Sequence, residues 1–124
     1  MMHILAVINQ KGGVGKTTTA LSIGACMAKK KKKVLLIDFD GSGNLTLACK
    51  GEGEGVCTSY EMMVRECTAE DAIQEMPNGY HLIAANSNLP GAEGKIVDPV
   101  SKIVRLKQCL ETIRDKYDWI IIDT

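Results

Sequence analysis

The stretch that decides the fold is NQKGGVGKTTT, residues 9–19. It follows a short apolar segment, residues 4–8, that is typical of a strand, and it leads into a helical pattern from about residue 17. Glycines at a strand-to-helix turn let backbone N–H groups close around phosphate oxygens, and the helix N-terminus adds its partial positive charge. This arrangement predicts a site for a nucleoside triphosphate.

Two lysines distinguish this loop from the usual one. Lys16 can reach the β- and γ-phosphates, and the Thr17 hydroxyl can ligate Mg²⁺. In the usual pattern four residues lie between a first Gly and Gly-Lys-Ser/Thr, but Gln10 stands at the position of that first Gly and Lys11 precedes a glycine pair. This is the deviant form of the phosphate loop. The alternative, a solvated lysine in an ordinary glycine loop, is disfavoured by the flanking strand and helix patterns.

Composition limits the classes of protein that need to be considered. The 124 residues suffice for one domain; 45% are apolar and the net charge is zero, which argues against disorder and against a uniformly basic surface. No apolar run could span a bilayer, and Met1 leads directly into the first strand without room for a signal peptide. We therefore expect a cytoplasmic protein without a membrane partner. The odd number of cysteines and the absence of a Cys-x-x-Cys pair predict free thiols: Cys26, Cys49, Cys57, Cys67 and Cys109.

Strand and helix patterns alternate, which predicts an α/β fold with a mainly parallel sheet and crossover helices. The predicted strands are residues 4–8, 34–37, 80–84 and 119–122. The predicted helices cover residues 17–30 and 58–66, a short segment from residue 68, and a segment that starts at 98–99 and carries an apolar stripe to Tyr117.

A run of lysines, residues 29–33, separates the first helix from the second strand. A contact with DNA or with a membrane surface is one interpretation. The other is a set of cations at a helix C-terminus, where they are favoured, followed by a solvated turn. The run is short and the net charge is zero, so the second interpretation is preferred.

Three aspartates follow predicted strands: Asp38, Asp40 and Asp123. Ligands of open α/β sheets bind beyond the carboxyl ends of the strands. There Asp123 and Asp38 could hold Mg²⁺, usually through water, and Asp40 could orient or deprotonate an attacking water. A single aspartate after a strand more often caps a turn, but three beside a phosphate loop favour function.

The sequence resembles the ParA-like partition ATPases, within the deviant-phosphate-loop group that includes MinD-like proteins. Three stretches carry the resemblance, and they are residues 9–19, residues 34–46 (VLLIDFD with GNLT) and residues 117–124 (YDWIIIDT). The resemblance implies a three-layer P-loop NTPase fold, ATP and Mg²⁺ as ligands, slow ATP hydrolysis and an ATP-sandwich dimer. It also implies a ParB-like partner that stimulates hydrolysis, and non-specific DNA binding by the ATP-bound dimer.

The resemblance also implies roles for individual residues. Lys11 reaches into the partner's site, Lys16 binds phosphate and Asp40 serves the hydrolytic water, and these three form the catalytic set. The metal set is Thr17, Asp38 and Asp123. The nucleotide-binding set is Gly12, Gly13, Val14, Gly15, Lys16, Thr17 and Thr18.

Two departures from the family pattern affect these expectations. Gly41 and Ser42 stand where the family usually has Pro-Gln, and the chain ends at Thr124, where the family continues with its adenine-binding segment and basic DNA surface. We therefore expect residues 1–124 to be the N-terminal portion of one P-loop domain, truncated after the Walker B strand. Poor discrimination between bases is a further expectation. An open apolar edge predicts a homodimer or domain-swapped oligomer. The alternatives are a non-hydrolysing fragment that self-associates, and a MinD-like or dethiobiotin-synthetase-like enzyme.

Overall fold

The structure is a computed structural model that describes residues 3–7, 14–39, 44–49, 51, 56–77, 79–85 and 99–123. Its strands are β1 (His3–Val7), β2 (Val34–Asp38), β3 (Ile73–Glu75), β4 (His81–Ile83) and β5 (Trp119–Asp123). Its helices are α1 (Val14–Lys29), α2 (Asn44–Cys49), α3 (Ser59–Met63), α4 (Ala69–Ala72) and α5 (Pro99–Leu110), and a 3-10 turn covers Arg114–Lys116. None of the helices in these ranges is long and apolar enough to cross a membrane.

The five strands form one sheet in the order β1-β5-β2-β4-β3. Strands β1, β5, β2 and β4 run parallel, and only β3 is antiparallel, paired with β4. The last strand in the sequence therefore lies between the first two. As a result, the carboxyl ends of β1, β5 and β2 meet at one edge of the sheet.

Helices cover both faces of the sheet, which explains why β2 is a continuous apolar run. On one face, α1 packs through Ala20 against a cluster that includes Leu36 and Ile121. On the other face, α3, α4 and the segment after α5 pack against Leu35 and Ile37 in a second cluster. The result is a three-layer α/β/α arrangement, as predicted.

The predicted elements and the observed ones differ in several places. Helix α1 begins three residues earlier than predicted, α2 was missed, and β3 occupies residues assigned to the short helix that opens at Thr68. Helix α5 ends at Leu110, so Tyr117 lies outside it. The predicted helix starts at residues 58 and 68 are confirmed, because Thr58 caps α3, Thr68 caps α4 and each forms a capping box. The predicted loop at residues 86–94 lies outside the described residues.

The prediction of five free thiols is wrong for one pair. Cys57 and Cys67 are joined as a disulfide that links the residue before the α3 cap to the residue before the α4 cap. The pairing arises because the turn after α3 brings residues ten apart in sequence to a Cα–Cα distance of 6.5 Å, within the range that a disulfide spans. Cys26, Cys49 and Cys109 are free.

Candidate functional site

A short connection joins the carboxyl edge of the sheet to the start of α1. Val7, the last residue of β1, is in register with Asp123 on β5, and α1 begins at Val14. Residues 8–13 therefore connect this edge to the helix N-terminus. Lys11, Gly12 and Gly13 fall in that connection and lie outside the described residues, as does Asp40. The remaining predicted loop residues form the beginning of α1, and they are Val14, Gly15, Lys16, Thr17 and Thr18.

Asp38 and Asp123 are brought together by the register of β2 and β5. They are paired positions at the ends of neighbouring parallel strands, and both are fully buried. The backbone N–H of Phe39 donates to the Asp123 carbonyl at 2.8 Å, which holds the two strand ends in place. Neighbouring strands are about 4.8 Å apart, so two carboxylates arise side by side at this edge.

Asp38 also has a structural role that the sequence did not indicate. Its Oδ2 accepts hydrogen bonds from the Thr46 N–H at 2.8 Å and from the Thr46 hydroxyl at 2.6 Å. The same hydroxyl oxygen accepts from the backbone N–H of Ala85 at 2.9 Å. A hydrogen bond to an ionised carboxylate is among the stronger ones in proteins. Asp38 therefore ties α2 to β2, and Thr46 ties both to the segment after β4.

A second contact joins α3 to the same strand end. The Ser59 hydroxyl donates to the Asp38 carbonyl at 2.8 Å, and the Ser59 N–H donates to the Ala84 carbonyl at 2.7 Å. Both Ser59 and Thr46 are buried. The Asp38 carboxylate is thus held from α2, and the backbone around it is held from α3 and from β5.

Cys49, at the end of α2, has a buried thiol near the hydrogen bonds of Asp38 and Thr46. Cys49 is buried, and burial raises the pKa of its thiol above the ordinary value. The Tyr80 hydroxyl donates to the Cys49 sulfur at 3.6 Å and lowers that pKa in part, while the Asp38 charge raises it. A neutral thiol near Asp38 adds no further negative charge to the end of the sheet that already carries Asp38 and Asp123.

The donor set at the edge fits Mg²⁺. This ion is usually held by one or two carboxylates together with phosphate oxygens and waters, rather than by an all-protein cage. Asp38 and Asp123 supply two carboxylates, and within the ranges that the structure describes no group of three or more His, Cys, Asp or Glu side chains could hold a metal alone. The arrangement therefore suits a metal that arrives with a phosphate ligand.

Comparison with known proteins identifies the family. The model of an AAA domain family, AAA_31, matches residues 2–124. The chain belongs to this AAA domain family. Among curated relatives of this AAA domain, the sporulation initiation inhibitor protein Soj of Bacillus subtilis is 43% identical over 99% of the chain. The chromosome partitioning protein ParA of Caulobacter vibrioides is 37% identical over 98% of it. The resemblance to ParA-like partition ATPases is confirmed.

Solved structures support the P-loop fold of this AAA domain. Cobyrinic acid a,c-diamide synthase from Mycobacterium smegmatis, with a bound ATP analogue and magnesium, superimposes with a TM-score of 0.92 at 34% identity, covering 99% of this chain and 51% of that one. A variant of Cyanothece McdA in complex with ATP gives a TM-score of 0.90 at 30% identity, covering 99% and 48%. The chain spans about half the length of the relatives it matches, 49% for Soj and 47% for ParA.

The predicted site residues of this AAA domain divide into two groups. The structure brings Asp38 and Asp123 together, as their positions after strands predicted. It places Lys16, Thr17 and Thr18 at the beginning of α1, while Lys11 and Asp40 stay predictions. Thr46 and Ser59 were missed as supports of the edge. The nearest signal was the GNLT stretch after Asp40, which was used for the resemblance and not for a contact.

Proposed function

We propose that this chain provides the phosphate- and metal-binding part of a ParA-type protein. The whole protein binds ATP with Mg²⁺, hydrolyses it slowly and acts in plasmid or chromosome partition through nucleotide-dependent dimerisation. The observation that carries the proposal is the register pairing of Asp38 with Asp123 beside the connection from β1 to α1. Two adjoining carboxylates after a glycine-rich, lysine-containing turn are the parts that phosphoryl transfer needs.

Each loop residue has a task in this proposal. The backbone N–H groups of residues 12–15 surround the phosphates, Lys16 binds them, and Thr18 supports the α-phosphate side. The Thr17 hydroxyl is a metal ligand, and Asp38 and Asp123 hold the waters of the metal. When bound, Mg²⁺ neutralises charge on the phosphate oxygens. Thr46 and Ser59 position Asp38 for this task.

A second cation explains the deviant loop. Lys11 reaches the phosphates bound by a partner copy and stabilises the charge that develops during transfer, as an arginine finger does. Asp40 orients the hydrolytic water. This assignment makes dimerisation and hydrolysis interdependent. The name of the ParA relative supports a role in partition, and we extend to this protein a cytoplasmic location, a ParB-like partner and non-specific DNA.

Nucleotide binding is tested on the chain itself. Titration of a fluorescent ATP analogue with Mg²⁺ should give saturable binding, and Lys16→Ala should weaken it about 10–100-fold because a hydrogen-bonded charge contact is lost. The matched control is Lys107→Ala, an exposed lysine on α5, which should leave the affinity unchanged. Equal affinities for the two variants would refute a phosphate site at the start of α1.

Hydrolysis separates the proposal from its main alternative. In a protein of the relatives' full length, Lys11→Ala should lower the rate of phosphate release about 10²–10³-fold while the monomer still binds nucleotide. An unchanged rate would remove the role of Lys11 in the partner's site. If the chain of 124 residues and its Lys16→Ala variant both release phosphate at the background rate, this chain is a non-hydrolysing, self-associating fragment.

A further inference from the structure

A cavity of about 400 Å³ opens at the opposite end of the sheet from Asp38 and Asp123. It lies where β2 and β4 begin and just before β5, so a full strand length, on the order of 15 Å, separates it from the carboxyl edge. Its polar lining consists of Lys32, Lys33, Lys116, His81 and Tyr117. We refer to this cavity as the lysine pocket. None of its residues belongs to the proposed nucleotide site.

The lining of the lysine pocket is electropositive. Three of its residues are lysines, and none is a carboxylate. Three acids lie close by. The Asp118 carboxylate accepts from the Lys33 backbone N–H at 2.8 Å, Glu70 approaches the Lys116 ammonium at 3.7 Å in an exposed ion pair, and the Glu75 charge acts on Tyr117. None of these three carboxylates belongs to the pocket lining, so the lining itself favours an anion.

A larger cavity of about 680 Å³ provides a contrast. It lies between α3, α4 and α5, and its two arginines, Arg65 and Arg105, are matched by two lining carboxylates, Glu66 and Asp71. The Arg105 guanidinium donates to the Met63 carbonyl at 2.9 Å. Charge in that cavity is balanced within its own lining, whereas charge in the lysine pocket is not.

The lysine pocket also has a fixed polar pair. Tyr117 is buried, and its hydroxyl lies 2.6 Å from Nδ1 of His81, with the two rings edge to face. Burial, with a smaller contribution from the Glu75 charge, raises the pKa of Tyr117 to about 12. The phenol therefore stays neutral at physiological pH. Such a pair adds a buried, hydrogen-bonded polar group to a lining that otherwise carries exposed lysines.

The backbone at Lys31 provides an independent observation. Helix α1 ends in a Schellman motif, in which the Lys32 N–H donates to the Met27 carbonyl at 3.1 Å and the Lys31 N–H donates to the Ala28 carbonyl at 3.0 Å. Lys31 occupies the left-handed position of this motif, with φ of 61°, where glycine is favoured. A lysine is thus present where folding favours glycine, next to a cavity lined by lysines.

We propose that the lysine pocket is a binding site for a phosphate-bearing anion. Lysines bind phosphate as point charges, and the Tyr117–His81 pair supplies the directed contact. The phosphate could belong to a small soluble molecule or to a nucleic-acid backbone, since both present the same group. The lysine pocket does not depend on the proposed nucleotide site. Binding at the pocket is therefore measured in a variant whose nucleotide site is disabled, so that a negative result at one site says nothing about the other.

The test uses pyrophosphate and a background in which the other phosphate site is disabled. In the Lys16→Ala variant, calorimetric titration should still detect pyrophosphate binding. Adding Lys33→Gln or Lys116→Gln to that background should weaken it about tenfold each, whereas Lys107→Gln should change it by less than about twofold. All three lysines are exposed, so the variants should fold, which circular dichroism checks. No binding at millimolar pyrophosphate, or equal loss from all three substitutions, would overturn the proposal.

A short duplex DNA of random sequence distinguishes the two sources. If the natural ligand is a nucleic-acid backbone, DNA should compete with pyrophosphate, and both should be weakened by Lys33→Gln. If it is a small molecule, pyrophosphate should bind and DNA should not displace it. DNA binding that responds equally to Lys33→Gln and Lys107→Gln, without pyrophosphate binding, would show a diffuse basic surface and refute a defined pocket.

Discussion

Among the threonines whose side-chain surroundings the structure describes, Thr46 is the one at which replacement with valine should destabilise the fold most. The Thr46 hydroxyl donates to Asp38 and accepts from the Ala85 N–H, and all three residues are buried. Valine removes a hydrogen bond to a charged group, about 1.5–3 kcal/mol, and leaves a buried N–H without this acceptor, about 1–3 kcal/mol. Because the two effects share one network and do not add fully, we expect a loss of about 3 kcal/mol.

Urea unfolding followed by circular dichroism measures this loss. With a slope of about 1–3 kcal/mol per molar urea, the midpoint should fall by about 1–3 M. Thr46→Ser keeps the hydroxyl and should lose only about 1 kcal/mol, from one buried methyl group. Thr112→Val makes the same chemical change at an exposed position and should stay within about 0.5 kcal/mol of the parent. A Thr46→Val midpoint equal to that of Thr112→Val would refute the account of the network.

Three further outcomes are expected. Lys31→Gly should raise the free energy of unfolding by about 1 kcal/mol, because glycine adopts the left-handed backbone conformation of residue 31 without the strain that lysine has there. Lys30→Gly, at a residue without that conformation, should lower the free energy of unfolding. A lower stability for Lys31→Gly would contradict the Schellman motif. The raised pKa of Tyr117 means that stability is retained below pH 10 and falls by roughly 2 kcal/mol as the pH rises through about 12. This part of the alkaline loss should be absent in Tyr117→Phe. Thiol titration of the denatured, unreduced chain should count three free thiols, because Cys57 and Cys67 are paired; five would exclude the disulfide.

Apolar patterns that lie within a single strand or helix predicted the fold well. The apolar run of β2 indicated a strand buried on both faces, and both faces are covered. Helix α2 was missed because its six residues, NLTLAC, are too few to establish a helical period. Its first turn is held by Asp38, a partner outside the helix. Strand β3 was missed because it forms only through its pairing with β4, closed by a turn in which the Met76 N–H donates to the Tyr80 carbonyl.

In the candidate site, too, local sequence predicted some features, whereas others depend on how distant elements pack. Aspartates that follow strands could be placed at the carboxyl edge from local sequence alone, and the structure has Asp38 and Asp123 at that edge. Their role as metal ligands stays a prediction. Their register partnership depends on strand order, and no local pattern reports that β5 lies between β1 and β2. The support of Asp38 by Thr46 and Ser59 likewise arises only when α2 and α3 pack on the sheet.

The strand order has a consequence for synthesis on the ribosome. β1 pairs with β5 and not with β2, so the first strand to emerge has no neighbour until Trp119 and the residues after it have been translated, more than a hundred residues later. At a synthesis rate of about 5–20 residues per second this interval is on the order of ten seconds. During it, the nascent N-terminus must be kept from premature aggregation, and the arrival of a single hydrophobic strand, WIIID, completes the central sheet.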